Sequence, residues 1–261
     1  MRRVIIPVDF SETSLNAAKF TAQMLSGKKD AVAILYNNYD KESEKAASTR
    51  QLEVLKKEMN TMCVANVSIE QELGGDLIEN ICTLAQSSRA TLVAMGITGR
   101  SAFGQIFFGS NTLKLVNENL YPVMIIPPDA KFKEIKNVAF ASDFKDVEVT
   151  TPSVLISAVL EMFNPMLHIV NVSSEHYVSL TEEYLQGKQI LKEMFKDYKS
   201  EFYFIGMNDF YEALDNFIRD YKIDLLVTIP KHDSNSGLLF SNSHTKKLAY
   251  HSEIPILAAH E

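Results

Sequence analysis

The feature that most constrains this chain is that it repeats itself. Val4-Ile5-Ile6-Pro7-Val8-Asp9-Phe10 returns as Val138-Ala139-Phe140-Ala141-Ser142-Asp143-Phe144, an offset of 134 positions. Ala31 to Asn37 finds a partner near Met166 to Val172, and Asp76-Leu77-Ile78-Glu79-Asn80-Ile81 resembles the segment from Phe210 to Phe217. Ala90 to Met95 matches Asp224 to Ile229 at the same offset, and Pro122-Val123-Met124-Ile125 matches Pro255-Ile256-Leu257-Ala258 at 133. Self-similarity over so long a period means two copies of one folding unit, each long enough to bury its own core. The copies are expected at residues 1–130 and 135–261, joined near Pro128 to Lys136.

Within a copy, short apolar runs alternate with amphipathic segments. Val4 to Val8 is a β-branched run suited to the middle of a parallel sheet. Asp9-Phe10-Ser11-Glu12-Thr13-Ser14 is rich in helix-capping residues and precedes apolar positions at helical spacing, Ala17, Ala18, Phe20, Thr21, Met24 and Leu25. The same reading places strands at Ala31 to Asn37, Asn66 to Glu70, Thr91 to Met95 and Tyr121 to Pro128. Helices are expected at Glu42 to Met62, from Gly74-Gly75-Asp76 onward, and at Ser110 to Glu118. Strands alternating with helices predict right-handed βαβ units, hence an α/β fold of two tandem domains. Each is a five-stranded parallel sheet with helices on both faces. Ligands in such sheets bind beyond the carboxyl ends of the strands, where Asp9, Asn37 and Gly96 fall.

The stretch from Met95 to Thr112 leaves an apolar run, passes three loop glycines and enters a helix at Gly109-Ser110. Glycine allows close approach of a ligand, and a helix N-terminus offers unpaired N–H groups to an anion, so the loop is a candidate phosphate cradle. Its spacing fits neither a Walker A loop nor a dinucleotide fingerprint, and no lysine closes it. In the second copy Gly96-Ile97-Thr98-Gly99 becomes Pro230-Lys231-His232-Asp233, and Gly109-Ser110 becomes Asn242-Ser243. Without those glycines a polyphosphate is not expected to be held there in the same manner.

Composition removes other classes. A formal charge of −7 argues against a nucleic-acid footprint. No apolar run approaches the length of a membrane span or a signal h-region. Cys63 and Cys82 lie in no metal or redox spacing, which fits free thiols in a reducing cytosol. The expectation is a soluble, cytoplasmic protein. His168, His176, His232, His244, His251 and His260 form no metal-ligand spacing and are read as surface histidines. No base–nucleophile pair, acidic Mg²⁺ cluster or P-loop lysine is visible, so no catalytic residue and no metal ligand is assigned.

The motif Gly-x2-Gly-x9-Gly-(Ser/Thr), met by Gly96, Gly99, Gly109 and Ser110, stands together with Pro7-Val8-Asp9-Phe10-Ser11 and Pro122-Val123. In these residues, and over nearly its whole length, the chain resembles the universal stress protein (UspA-like) family in its tandem form. The resemblance implies an adenine nucleotide alpha hydrolase-like, Rossmann-like fold. It also implies ATP or AMP, with or without Mg²⁺, bound in the first domain. Carried over, the aspartate after strand one contacts adenine, the end of strand two supplies backbone contacts near the base, and the glycine loop holds ribose and phosphates. The implied set is Pro7, Val8, Asp9, Asn37, Met95, Gly96, Thr98, Gly99, Gly109, Ser110, Asn111 and Thr112, with Arg100 ranked below the backbone donors. The second copy keeps Asp143, Ser243 and Thr245 but none of the motif glycines.

Plainer roles stand beside these. Asp9 also suits a helix cap, Gly96 and Gly99 a tight turn, and Ser110 and Thr112 local N–H groups. Any turnover is expected to be slow ATP hydrolysis at most. A competing reading is a nucleotide-independent interaction or sensor module that works through protein partners or another small ligand. The family's use of the fifth strand for pairing implies an intramolecular pseudo-dimer through Val123 to Ile126 and Ile254 to Ala258, and a homodimer is a further option.

Overall fold

A computed structural model of the chain describes residues 1–62, 64, 66–97, 110–173, 182–206, 209–230 and 252–260. Two compact units emerge, Met1–Lys133 and Glu134–Glu261.

The first unit runs β1 (Arg2–Pro7), α1 (Glu12–Leu25), β2 (Ala31–Tyr39), α2 (Glu42–Thr61), β3 (Val67–Leu73), α3 (Leu77–Ser88), β4 (Leu92–Gly96), α4 (Ser110–Asn117) and β5 (Val123–Ile126). All its strands are parallel, in the order β3-β2-β1-β4-β5. Right-handed crossovers put α1 and α2 on one face and α3 and α4 on the other. Val4, Ile5 and Ile6 in β1, at the centre of this sheet, are fully buried, as a doubly covered parallel strand requires. The strand order reverses between β1 and β4, and the ends of those strands carry Asp9 and Gly96.

The second unit runs β6 (Asn137–Ala141), α5 (Val147–Thr150), α6 (Ser153–Leu160), β7 (Met166–Ser173), α7 (Glu182–Met194), β8 (Ser200–Gly206), α8 (Phe210–Asp220), β9 (Leu225–Thr228) and β10 (Ile256–Ala258). Its parallel order, β8-β7-β6-β9-β10, repeats the first. The copies share small devices. Asp76 and Asp209 each cap the following helix, accepting bonds from two N–H groups with the same spacing. Phe10 and Phe144 both hold a left-handed backbone, at φ of 65° and 61°.

The register refines the repeat. Val4 pairs with Leu92 where Val138 pairs with Leu225, so the offset has already fallen to 133 at β4 and β9. Gly96 therefore corresponds to Ile229 rather than Pro230. Ala33 sits level with Leu167 across the same central strand, which makes Asn37 the counterpart of Asn171. One helix also differs. The continuous α1 of the first unit is broken in the second at Thr151-Pro152, because proline offers no N–H and clashes with the preceding turn.

Among the described residues no helix is long and apolar enough to cross a membrane. Nor do three His, Cys, Asp or Glu side chains gather as a metal site there. Cys82 is a free, half-buried thiol, and Cys63 lies outside the described residues. His168 is not on the surface, contrary to the sequence expectation. It is 5% exposed on β7, with Nδ1 3.2 Å from the Tyr203 hydroxyl and Nε2 3.3 Å from Asn137 Oδ1. His260 is buried as well.

Candidate functional site

The crevice at the reversal point is built from the end of β1. Pro7 closes the strand and Val8 is buried, its N–H donating to the Tyr36 carbonyl at 2.8 Å. Asp9 then turns outward and is exposed. Its Oδ1 accepts from the Ser11 N–H at 3.0 Å and from the Ser11 hydroxyl at 2.5 Å, closing an Asx-turn. The turn carries the chain through the left-handed Phe10, a conformation that costs a non-glycine residue about 1 kcal/mol. Ser11 caps α1 by accepting from the Ser14 N–H. Partial burial alone would push the Asp9 pKa up. Hydrogen bonds from Ser11 and Ser14 outweigh it and hold the carboxyl below its ordinary value. Asp9 is thus both a turn-former and an ionised acceptor facing solvent.

Asn37, at the end of β2, is 5% exposed, and its side chain is already committed. Nδ2 donates to the Val8 carbonyl at 2.9 Å. Behind it, Gln71 on β3 donates to Ser48 Oγ on α2 at 2.8 Å and reaches Asn37 Oδ1 at 3.4 Å. The Thr49 hydroxyl donates to Gln71 Oε1 at 2.6 Å. On the opposite face Tyr36 and Asn38 meet Glu72 and Asn80. The Tyr36 hydroxyl lies 3.4 Å from Glu72, and burial followed by that carboxylate pushes its pKa up to about 12. Neither polar group was read from the sequence. The signal was available for one of them, because Asn37 recurs at Asn171 with the repeat's offset.

At the end of β4, Met95 is buried and Gly96 half-buried. Gly96 has a reason for lacking a side chain that involves no ligand. A Cβ there would stand 2.7 Å from the Thr13 carbonyl carbon, and nearer still to its oxygen. The glycine lets the first turn of α1 press onto β4. Thr112, 2% exposed in the first turn of α4, donates its hydroxyl to the Gly96 carbonyl at 2.9 Å, so it ties the helix start to the strand end. Asn111 beside it is exposed, and Ser110 opens the helix. Thr98, Gly99, Arg100 and Gly109 lie outside the described residues. The structure therefore brings Pro7, Val8, Asp9 and Asn37 together at β1–β2. Met95, Gly96, Ser110, Asn111 and Thr112 are gathered at β4–α4, and these two groups flank the reversal point.

In the second unit four polar positions around the end of β2 turn apolar, while Asp9 and Asn37 keep Asp143 and Asn171 as counterparts. By register, Tyr36, Asn38, Gln71 and Asn80 correspond to Val170, Val172, Phe204 and Ala213. Asp143 keeps its turn, accepting from the Lys145 N–H at 3.1 Å. Phe144 is buried among Tyr184, Phe202 and Phe204, with ring centroids 5.1 Å apart for the last pair.

Among known proteins, residues 1–127 match the model of the universal stress protein family. The whole chain superposes on the solved structure of a universal stress protein from Archaeoglobus fulgidus. The TM-score is 0.71 at 16% identity, covering 99% of this chain and 98% of that one. A functionally unknown protein from Pseudomonas aeruginosa aligns with a TM-score of 0.65 at 16% identity, over 99% and 92% of the two chains. At these identities the superpositions establish the fold alone. No curated protein matches the sequence. Through the match of residues 1–127, the first unit belongs to the universal stress protein family, and the chain shares the fold of a solved member along its length.

Proposed function

We propose that this is a cytoplasmic stress-response protein whose first unit binds one adenine nucleotide, ATP or AMP, and whose second unit does not. One observation carries the reading. At the reversal point between β1 and β4, an ionised, solvent-facing Asp9 stands on one side. On the other, the start of α4 is tied to the end of β4 by the Thr112–Gly96 bond. A carboxylate accepts hydrogen bonds from an amino-bearing base, and a helix start offers N–H groups to phosphate oxygens. Gly99, Gly109 and the rest of the connecting loop would complete the phosphate side. Thr112 contributes by fixing the helix, since its own proton is already donated.

The second unit supports the asymmetry. Val170, Val172, Phe204 and Ala213 replace Tyr36, Asn38, Gln71 and Asn80, and the second copy lacks the glycines that would let a polyphosphate approach the loop. No base, nucleophile or acidic metal cluster is assigned, so the unit is proposed to hold nucleotide rather than consume it.

The reading is tested by mass spectrometry of small molecules released from freshly purified protein, followed by calorimetry with ATP and Mg²⁺. A co-purifying or titratable adenine nucleotide is expected. No binding at millimolar nucleotide would contradict it. Gly109→Val should abolish binding and Asn242→Val should leave it intact.

A further inference from the structure

The ends of β1 and β2 separate one rung earlier than a parallel ladder requires. Main-chain groups of alternate residues in a strand face opposite neighbours. The Val8 N–H donates to the Tyr36 carbonyl at 2.8 Å, so Tyr36 and Asn38 direct their main chain toward β1. Asn37 and Tyr39 face β3, in keeping with the bond from the Gly74 N–H to the Tyr39 carbonyl at 2.8 Å. The next rung would run from the Asn38 N–H to the Val8 carbonyl. That carbonyl is taken instead by the Asn37 side chain, at 2.9 Å. The N–H and C=O of Asn38 are left without a partner among the described residues, at a half-buried position beside the Asp9 turn.

The second unit repeats the device. Ser142 N–H donates to the Val170 carbonyl at 3.0 Å, and Asn171 Nδ2 donates to the Ser142 carbonyl at 3.0 Å. What differs is the support. Asn37 Oδ1 faces the Gln71 amide, which Ser48 and Thr49 hold in place from α2. A donor at Oδ1 fixes which end of the Asn37 amide meets Val8. Asn171 pairs in register with Phe204, and its buried Oδ1 has no partner among the described residues.

We propose that Asn37 is a positioning residue that holds β1 and β2 apart. It thereby presents the Asn38 N–H and C=O as an adjacent donor and acceptor next to Asp9. Main-chain contacts to a base from this strand end are already implied by the family resemblance; the side chains that hold the strands apart to expose them are not. Gln71 is a second positioning residue, acting through the Asn37 amide. The choice of ligand rests on the nucleotide reading above; the separation of the strands does not.

The test is amide hydrogen exchange on the ligand-free, full-length protein, paired with ATP calorimetry. In Asn37→Leu the Val8 carbonyl is freed to accept from Asn38, closing the rung. Exchange at the Asn38 amide should slow by about tenfold, and ATP binding should weaken by about tenfold. A residue that only stabilises the sheet would speed exchange along β1 and β2 and slow it nowhere. Unchanged or faster exchange at Asn38 overturns the proposal. Gln71→Leu, which leaves β1 and β2 intact should Asn37→Leu fail to fold, is expected to speed exchange of the Asn37 side-chain amide several-fold. No change there overturns Gln71's part. Slowed exchange at Asn38 in a protein that binds no ATP removes the nucleotide reading and leaves the strand separation standing.

Discussion

Gly96→Ala separates the two reasons for a glycine at the end of β4. The added Cβ would stand 2.7 Å from the Thr13 carbonyl carbon. Carbon atoms pack at roughly 3.5–4.0 Å, so the first turn of α1 must withdraw by about 1 Å. That turn is pinned by the Ser11 cap and by Asn16, whose amide donates to the Pro127 and Ala130 carbonyls at 3.1 and 3.2 Å. Overpacking of this kind costs about 1–3 kcal/mol, and the lower chain entropy of alanine in the unfolded state returns about 0.4–1 kcal/mol. A net loss of about 1–2 kcal/mol corresponds to a fall of about 4–8 °C in the melting of the first unit. The assay is thermal unfolding of the full chain without nucleotide, followed by far-UV circular dichroism. In the second unit Ile229 occupies the equivalent position. An unchanged melting temperature with lost ATP binding would refute the packing argument and assign Gly96 to the ligand alone.

Two further outcomes follow from the same structure. Asp76→Ala and Asp209→Ala remove matching helix caps, each bonded to two N–H groups, and should each cost about 1 kcal/mol by denaturant titration; a large disparity would contradict their equivalence. For His168, burial lowers the pKa and Glu201 only partly opposes it, so the unfolded state takes up a proton first on acidification. Its contribution to stability is full above the unfolded value of about 6.5 and is lost as pH falls below it. His168→Gln should flatten that part of the stability–pH curve, and an unchanged curve would rule His168 out as the cause.

The sequence carried the architecture because burial and periodicity are written in residue order. Val4 to Val8, Ala31 to Asn37 and their repeats could only be strands covered on both faces, and the alternation fixed a parallel sheet with Asp9 and Gly96 at the strand ends. Hydrogen-bond partners are not written that way. Asn37 looked like a strand end near a base, whereas its amide spans to Val8 and is supported by Gln71, residues brought close only by the fold. Gly96 looked like a ligand-facing glycine, and the Thr13 backbone that crowds it belongs to the start of α1, far from β4 in sequence. His168 looked like any histidine, since alternation along β7 does not distinguish a buried imidazole held by Tyr203 and Asn137 from an exposed one. The one-residue slip at β4 and β9 was hidden because apolar runs match about as well when shifted by one.

The central claim is one nucleotide site per chain, in the first unit. Its most direct test is the binding stoichiometry of ATP, measured by calorimetry on the intact protein, Asp9→Ala and Asp143→Ala. One equivalent per chain is predicted, lost in Asp9→Ala and retained in Asp143→Ala. Two equivalents, or loss of binding in Asp143→Ala alone, would contradict the account.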